Sequence, residues 1–184
     1  MQTATYSGPV GSDRGTHRHR AENLVVHTPV PTRLGFAPRA GRVEVTLRAS
    51  ADPDCMTAIW LVGTEHQDPR ECGEICVAEI DADTVRLRTR TRCGINAHLD
   101  DRLTTDMIAT TVPYDTRRPL TWSVEWGGGV TFIGCENRVI ATFDQAPTYA
   151  LMLLIDVFDL SSGRGTYPTS AVLHHARAWS RDSH

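Results

Sequence analysis

The sequence predicts an all-β fold, an antiparallel β-sandwich of the jelly-roll type. Three observations carry this prediction. Hydrophobic residues mostly alternate with a period of two, short strand-like segments are separated by Gly, Pro, Asn or Asp, and no segment has a helical apolar face longer than about two turns. The 184 residues, 40% of them hydrophobic, are enough for one well-buried core, so residues 1–184 are expected to form a single domain.

The clearest strand lies at residues 42–49, where Val43, Val45 and Leu47 alternate with polar neighbours. Further strands are expected, in chain order, at residues 56–62, 73–80, 84–91, 120–126, 130–135, 138–143, 149–158 and 171–179. Tight-turn sequences, Gly127-Gly-Gly129 and Glu136-Asn137, separate three of these segments. They predict a three-stranded meander between residues 120 and 143.

Charge and hydropathy exclude several classes of partner. The net charge of −3 and the isoelectric point near 6.2 give no broad positive field, so neither a nucleic acid nor a membrane surface is expected as a partner. The longest apolar run, residues 150–155, is far shorter than the roughly 20 residues that span a bilayer. Residues 1–30 contain no apolar leader, which favours a cytoplasmic location, and residues 1–20 are expected to be loosely ordered.

The cysteines and histidines predict no metal site and no cofactor. The five cysteines are an odd number without paired zinc spacing, so we expect them to be free, buried thiols. His17 and His19 have metal-ligand spacing only in the loosest sense, and they lie in the flexible basic segment at the start of the chain.

The segment with the strongest chemical pattern is Gly73-Glu-Ile-Cys-Val-Ala-Glu79. It places two carboxylates, Glu74 and Glu79, inside an otherwise apolar strand, where an ionised side chain is costly unless it is paired or faces a cleft. Residues an odd five positions apart point to opposite faces of a regular strand. Either a β-bulge brings both carboxylates to one face, or one of them faces solvent on the other side.

This segment resembles the catalytic strand of glycoside hydrolase family 16, in which a bulged subgroup carries Glu-x-Asp-x-x-Glu. The resemblance extends to Ala58-Ile-Trp60-Leu61, to the Trp122-Ser-Val-Glu-Trp126 meander and to the closing strand at residues 171–179. It covers about residues 35 to 180. It implies a concanavalin A-like sandwich and a retaining glycosidase, with Glu74 as the nucleophile and Glu79 as the general acid/base.

Cys76 departs from the family pattern, because relatives carry an aspartate at this position. A protonated thiol has no charge, so the proton balance of the two glutamates is expected to differ from that in relatives. We therefore count Cys76 with the catalytic residues. Its neighbouring glutamates disfavour the thiolate, which argues against Cys76 as the nucleophile.

Six further residues are candidates for substrate binding. The resemblance implies that aromatic rings stack on sugars, and core packing is the alternative for each of them. Asn96 is expected on the strand beside the acid/base, with His98 two residues further on, and either could hydrogen-bond a sugar hydroxyl. Asp156 interrupts an apolar strand. The set is Trp60, Asn96, His98, Trp122, Asp156 and Phe158.

Three functions are compatible with this pattern. The first is an endo-acting, retaining β-glycosidase, similar to glucanases, that hydrolyses a β-linked polysaccharide or oligosaccharide. The second is a repurposed intracellular enzyme of a biosynthetic pathway, such as a cyclase, lyase or isomerase acting on another small molecule in the same cleft. The third is a carbohydrate-binding module without catalysis, since jelly rolls commonly serve that purpose.

Overall fold

The computed structural model describes residues 35–65, 67–160 and 169–181. The segment expected to be loosely ordered, residues 1–20, lies outside these ranges, as do His17 and His19. Within the described ranges the strands are β1 (Gly41–Arg48), β2 (Cys55–Gly63), β3 (Glu74–Asp81), β4 (Thr89–Asn96), β5 (Asp106–Val112), β6 (Leu120–Gly127), β7 (Val130–Cys135), β8 (Arg138–Phe143), β9 (Leu151–Asp159) and β10 (Val172–Ser180). A 3₁₀ turn at Ala82–Thr84 follows β3.

The strands form two five-stranded antiparallel sheets in the described part of the chain. Sheet A has the order β10-β1-β6-β7-β8, and sheet B has the order β5-β4-β3-β2-β9. Neighbours in each sheet are antiparallel. The prediction of an antiparallel β-sandwich is therefore confirmed.

The core lies between the two sheets and is built from alternate residues of the strands, as a half-buried strand requires. Sheet A contributes Val43, Val45 and Leu47 of β1, together with the alternating residues of β6. The largest fully buried side chains are Trp122, Trp126, Leu47, Ile59, Leu61, Ile75, Ile80, Ile95, Ile133, Leu151, Val45 and Val77. The faces of the sheets that point away from this core are left for solvent or ligand.

The predicted meander is confirmed, because β6 pairs with β7 and β7 pairs with β8. Glu136 and Asn137 connect the last two strands with φ angles of 50° and 62°. Positive φ at two successive positions matches the two-residue turns whose twist suits a hairpin. The turn from β6 to β7 uses Gly128 and Gly129, with φ angles of 63° and 80°.

The strand predicted at residues 84–91 was wrong in position. The first part of that segment is irregular, and β4 begins only at Thr89. Val85 and Leu87 are two positions apart, as on one face of a strand, but Val85 is buried in the core whereas Leu87 is 81% exposed. Their spacing therefore suggested a strand that the structure does not contain. The prediction also lacked β5, an edge strand of sheet B whose residues are largely exposed and therefore show weak alternation.

The cysteine prediction is confirmed, since all five cysteines are buried and none forms a disulfide bond. In the described ranges, no three His, Cys, Asp or Glu side chains are grouped so that they could hold a metal ion. Among these residues there is also no helix with the length and apolar character needed to cross a membrane.

Candidate active site

A β-bulge in β3 places the two glutamates on the same face of sheet B. Cys76 pairs with Gly94 of β4 and Glu79 pairs with Arg92, so three steps along β3 match two along β4. The register against β2 shifts at the same point. The extra residue makes Val77 and Ala78 consecutive core residues, 2% and 0% exposed, and returns Glu79 to the outer face.

Glu74 is held by three donors on this outer face. Its Oε1 accepts hydrogen bonds from Asn96 Nδ2 at 3.2 Å and from Cys76 Sγ at 3.3 Å. Its Oε2 lies 3.2 Å from His98 Nε2. Only 8% of the Glu74 side chain is exposed, so these contacts compensate for the lost hydration of the carboxylate and fix its direction.

Asn96 and His98 both lie near Glu74. Asn96 is on β4, the strand beside the one that carries both glutamates, and there it pairs with Glu74, whereas Arg92 pairs with Glu79. His98 reaches Glu74 from the turn after β4, where its φ angle of 49° is unusual for a residue with a side chain. Both residues contact the nucleophile candidate directly.

Cys76 lies between the two glutamates. Its Sγ is 3.3 Å from Glu74 Oε1 and 3.9 Å from Glu79 Oε1. Burial, and then the negative charges of the two glutamates, raise the pKa of the Cys76 thiol far above its usual range. The thiol therefore stays protonated, can donate one weak hydrogen bond, and is not a nucleophile at neutral pH.

Glu79 differs from Glu74 in its surroundings, since it forms an ion pair. Its Oε2 accepts a hydrogen bond from Arg92 Nε at 2.9 Å, and its Oε1 accepts one from Trp60 Nε1 at 3.3 Å. Arg92 also holds Asp81 through Nη1 at 2.9 Å. Both oxygens of Glu79 thus accept hydrogen bonds in this structure.

Arg92 was not among the residues predicted from the sequence. All 19 basic residues of the chain are arginines, so no single arginine stood out. The usable signal was the alternation Thr89-Arg-Thr-Arg92, because a period of two puts Arg90 and Arg92 on the face opposite to the buried threonines.

Two of the three aromatic candidates lie on the face that carries the glutamates. Trp60 reaches Glu79, and its ring centroid is 5.3 Å from that of Phe158 in an edge-to-face arrangement. Asp156 lies opposite Ala58, which is itself opposite Glu79, so the two acidic residues share one row across three strands. The Asp156 carboxylate accepts a hydrogen bond from the Val157 N–H at 2.6 Å.

Trp122 is not part of this site, and its prediction as a sugar-stacking residue was wrong. It belongs to β6 of sheet A and is only 1% exposed, packed between the sheets. Its alternation with Val124 and Trp126 places all three on the core face, where a sandwich of this size needs its large side chains.

A buried polar network lies directly behind Glu74 and was also not predicted. Tyr149 Oη accepts a hydrogen bond from the Gly73 N–H and donates one to Asp100 Oδ2, each at 2.8 Å. Arg102 Nε donates to Asp100 Oδ1 at 2.7 Å. Burial opposes ionisation of Asp100, but the bonds from Arg102 and Tyr149 hold the pKa of its carboxyl below the usual value.

This network predicts a pH-dependent contribution to stability. A carboxyl whose pKa is lower in the folded state stabilises the fold above its unfolded pKa, and this stabilisation is lost as the pH falls through the folded pKa. Asp100→Asn should lower the free energy of unfolding by about 2 kcal/mol near neutral pH, because it weakens charged hydrogen bonds. Urea unfolding at about pH 7 and about pH 3 checks this, and a deficit that does not shrink at the lower pH would contradict it.

Comparisons with known proteins identify the fold. The sequence matches no family model and no curated protein. The structure is similar to a GlcNAcα1-4Gal releasing endo-β-galactosidase from Clostridium perfringens, with a TM-score of 0.69 and 16% identity over 85% of this chain and 41% of that chain. It is also similar to the laminarinase catalytic domain from Thermotoga maritima, with a TM-score of 0.62 and 14% identity over 80% of this chain and 66% of that chain.

A third similar structure is a family 16 endo-glucanase from Bacteroides ovatus, with a TM-score of 0.58 and 13% identity over 78% of this chain and 70% of that chain. The chain thus spans about two fifths of the galactosidase and about two thirds of the laminarinase domain. Identities this low establish architecture, and not activity. The chain has the concanavalin A-like fold of the family 16 glycoside hydrolases.

Proposed function

We propose that this protein is a retaining endo-β-glycosidase that acts on a β-linked polysaccharide or oligosaccharide. The observation that carries the proposal is the bulge in β3, which brings Glu74 and Glu79 to one face with a single sulfur atom in contact with both. Retaining glycosidases need two carboxyl groups about 5 to 5.5 Å apart. Two carboxylates bridged by one atom are compatible with that spacing.

In the proposed mechanism Glu74 is the nucleophile. Its carboxylate attacks the anomeric carbon, an ester bond to Glu74 forms, and the bond from the anomeric carbon to the leaving oxygen breaks. The contacts from Asn96, His98 and Cys76 hold the carboxylate in one direction before substrate arrives. Such prior orientation lowers the barrier because it does not have to be achieved during the reaction.

Glu79 is the proposed acid/base. It gives a proton to the leaving oxygen in the first step, and it takes a proton from the attacking water in the second step, which releases Glu74. Arg92 donates to Glu79 Oε2 and is itself held by two bonds to Asp81, so the guanidinium fixes the direction of the Glu79 carboxyl group.

The surface next to Glu79 supports a sugar as the substrate. The partly exposed rings of Trp60 and Phe158 offer apolar faces of the kind on which sugar rings stack. Endo-glucanases and an endo-β-galactosidase are among the similar structures. We therefore expect a β-linked glucan or galactan as the substrate.

The test is a turnover screen against β-1,3, β-1,4 and mixed-linkage glucans, xyloglucan and galactans, with Glu74→Ala as the control. The proposal expects reducing ends to appear with at least one of these polymers and to be lost in Glu74→Ala. Binding of a polymer by both proteins, without cleavage by folded wild type, would instead identify a carbohydrate-binding module.

The role of Cys76 gives a separate prediction. Cys76→Asp places a third carboxyl group between Glu74 and Glu79, and like charges at this distance favour retention of one proton at the site. Its turnover of a responsive polymer should rise by roughly tenfold, the change that one pKa unit produces in a proton equilibrium. Cys76→Ser is the matched control, because its hydroxyl adds no charge. Equal activity of the two variants, with unchanged melting temperatures, would contradict the proposed role.

A further inference from the structure

The buried network behind Glu74 has no role in the chemistry described so far. Tyr149 is 2% exposed and Asp100 is 4% exposed. Arg102 binds both oxygens of Asp100, through Nε at 2.7 Å and Nη2 at 2.9 Å, and its guanidinium carbon lies 4.9 Å from the centre of the Tyr149 ring. Burial, and then the hydrogen bond to Asp100, raise the pKa of Tyr149 far above its usual value, so its hydroxyl keeps its proton.

The network holds two segments that converge on Glu74. On one side, Tyr149 Oη binds the backbone N–H of Gly73, the residue immediately before Glu74. A Cβ at Gly73 would lie 2.4 Å from this oxygen, so the contact is made against bare backbone. On the other side, the Asp100 N–H bonds to the Ala97 carbonyl at 2.8 Å and closes the turn that carries His98.

These two segments carry the two partners of one contact. Glu74 belongs to the first segment and His98 to the second, and their side chains meet at 3.2 Å. The bond from Tyr149 to Asp100 joins the segments, although the residues are 49 positions apart in the sequence. Apolar groups of similar volume could often provide the same stability as buried charged groups. The location of the network between the two segments therefore points to a role in fixing their relative position.

On the basis of the proposed function, we infer that Tyr149 is a positioning residue, which acts through Gly73 and Asp100 to fix the Glu74–His98 contact and the direction of the nucleophile. Loss of the phenolic oxygen removes this link between the backbone before Glu74 and the turn that carries His98, while the pairing of Glu74 with Asn96 remains. Small displacements of a reacting group are costly, since a shift of about 1 Å can reduce a rate by on the order of 10²-fold.

The kinetic test compares Tyr149→Phe with Tyr114→Phe. Tyr114 also packs partly buried against the core, and its carbonyl accepts a hydrogen bond from Thr89, at the opposite end of β4 from Asn96 and Glu74. The control therefore removes a tyrosine hydroxyl away from the site. On a responsive polymer, Tyr149→Phe should lower kcat by roughly 10- to 100-fold and leave KM within about threefold, whereas Tyr114→Phe should change neither. An unchanged kcat for a folded Tyr149→Phe would overturn the inference.

A second readout does not depend on turnover. The imidazole resonances of His98, assigned by their loss in His98→Gln, should shift in Glu74→Gln because the charged partner at 3.2 Å becomes a neutral amide. Tyr149→Phe and Asp100→Asn should shift them in the same direction, and Tyr114→Phe should not. If these resonances are unchanged in Tyr149→Phe, the inference fails even where hydrolysis is seen. If they shift but wild type hydrolyses no polymer, the positional link stands and the proposed glycosidase activity fails.

Discussion

Glu74→Ala should reduce turnover of a responsive polymer by on the order of 10⁴-fold or more, because the proposed mechanism forms the covalent intermediate on Glu74. Glu74 has three donors aimed at its two oxygens, whereas Glu79 is tied to Arg92. Alanine at position 74 leaves space for a small anion. Azide should therefore restore activity and yield a glycosyl azide of inverted configuration.

The control for this variant is Glu125→Ala. Glu125 lies on β6 of sheet A, where it pairs with Arg42 and Arg181. Its loss should leave turnover unchanged, since it is on the other sheet. Full activity in Glu74→Ala, or rescue that gives the retained azide, would assign the nucleophile to a different residue.

Glu79→Ala should have the second-largest effect, and the size should depend on the leaving group. Hydrolysis of a natural polysaccharide should fall by roughly 10³-fold, within the usual contribution of a general acid. An aryl glycoside with a good leaving group needs no proton, so the first step on that substrate should be nearly unaffected. Parallel rates on the polymer and on a dinitrophenyl glycoside measure this difference.

Asp81→Ala is the matched control for Glu79→Ala. Asp81 is the other carboxylate held by Arg92, and it lies two residues further along the same strand. If Glu79 acts only as a partner of Arg92, both variants should lose similar activity. The proposed role requires that the loss on the polymer be much larger for Glu79→Ala, and that azide produce a glycosyl azide of retained configuration with this variant alone.

Local patterns were sufficient to predict the architecture and the centre of the site. Period-two alternation identified most strands, and the odd spacing of Glu74 and Glu79 identified the position at which a bulge was needed. A regular strand would have separated the two carboxylates, so the apolar pair Val77 and Ala78 is the physical reason that they share a face.

Contacts between distant parts of the chain could not be read in the same way. Trp122 and Trp60 both lie in strands, and the face of its sheet on which each ring lies decides that Trp122 is core and Trp60 is at the site. The link from Tyr149 to Asp100 depends on tertiary packing, and neither residue has a local signature. Strand β5 was not predicted, because most of its residues are exposed and apolar and polar residues do not alternate clearly along it.

The most direct test of the central claim is to trap the covalent intermediate. A β-glycoside with fluorine at C2 and an activated leaving group forms the ester in the first step and hydrolyses it slowly in the second. Peptide mass mapping of the labelled protein should find the sugar on Glu74, and Glu74→Gln should not be labelled. A label on Glu79 or Cys76, or a folded wild type that releases the leaving group without any label, would contradict the proposed mechanism.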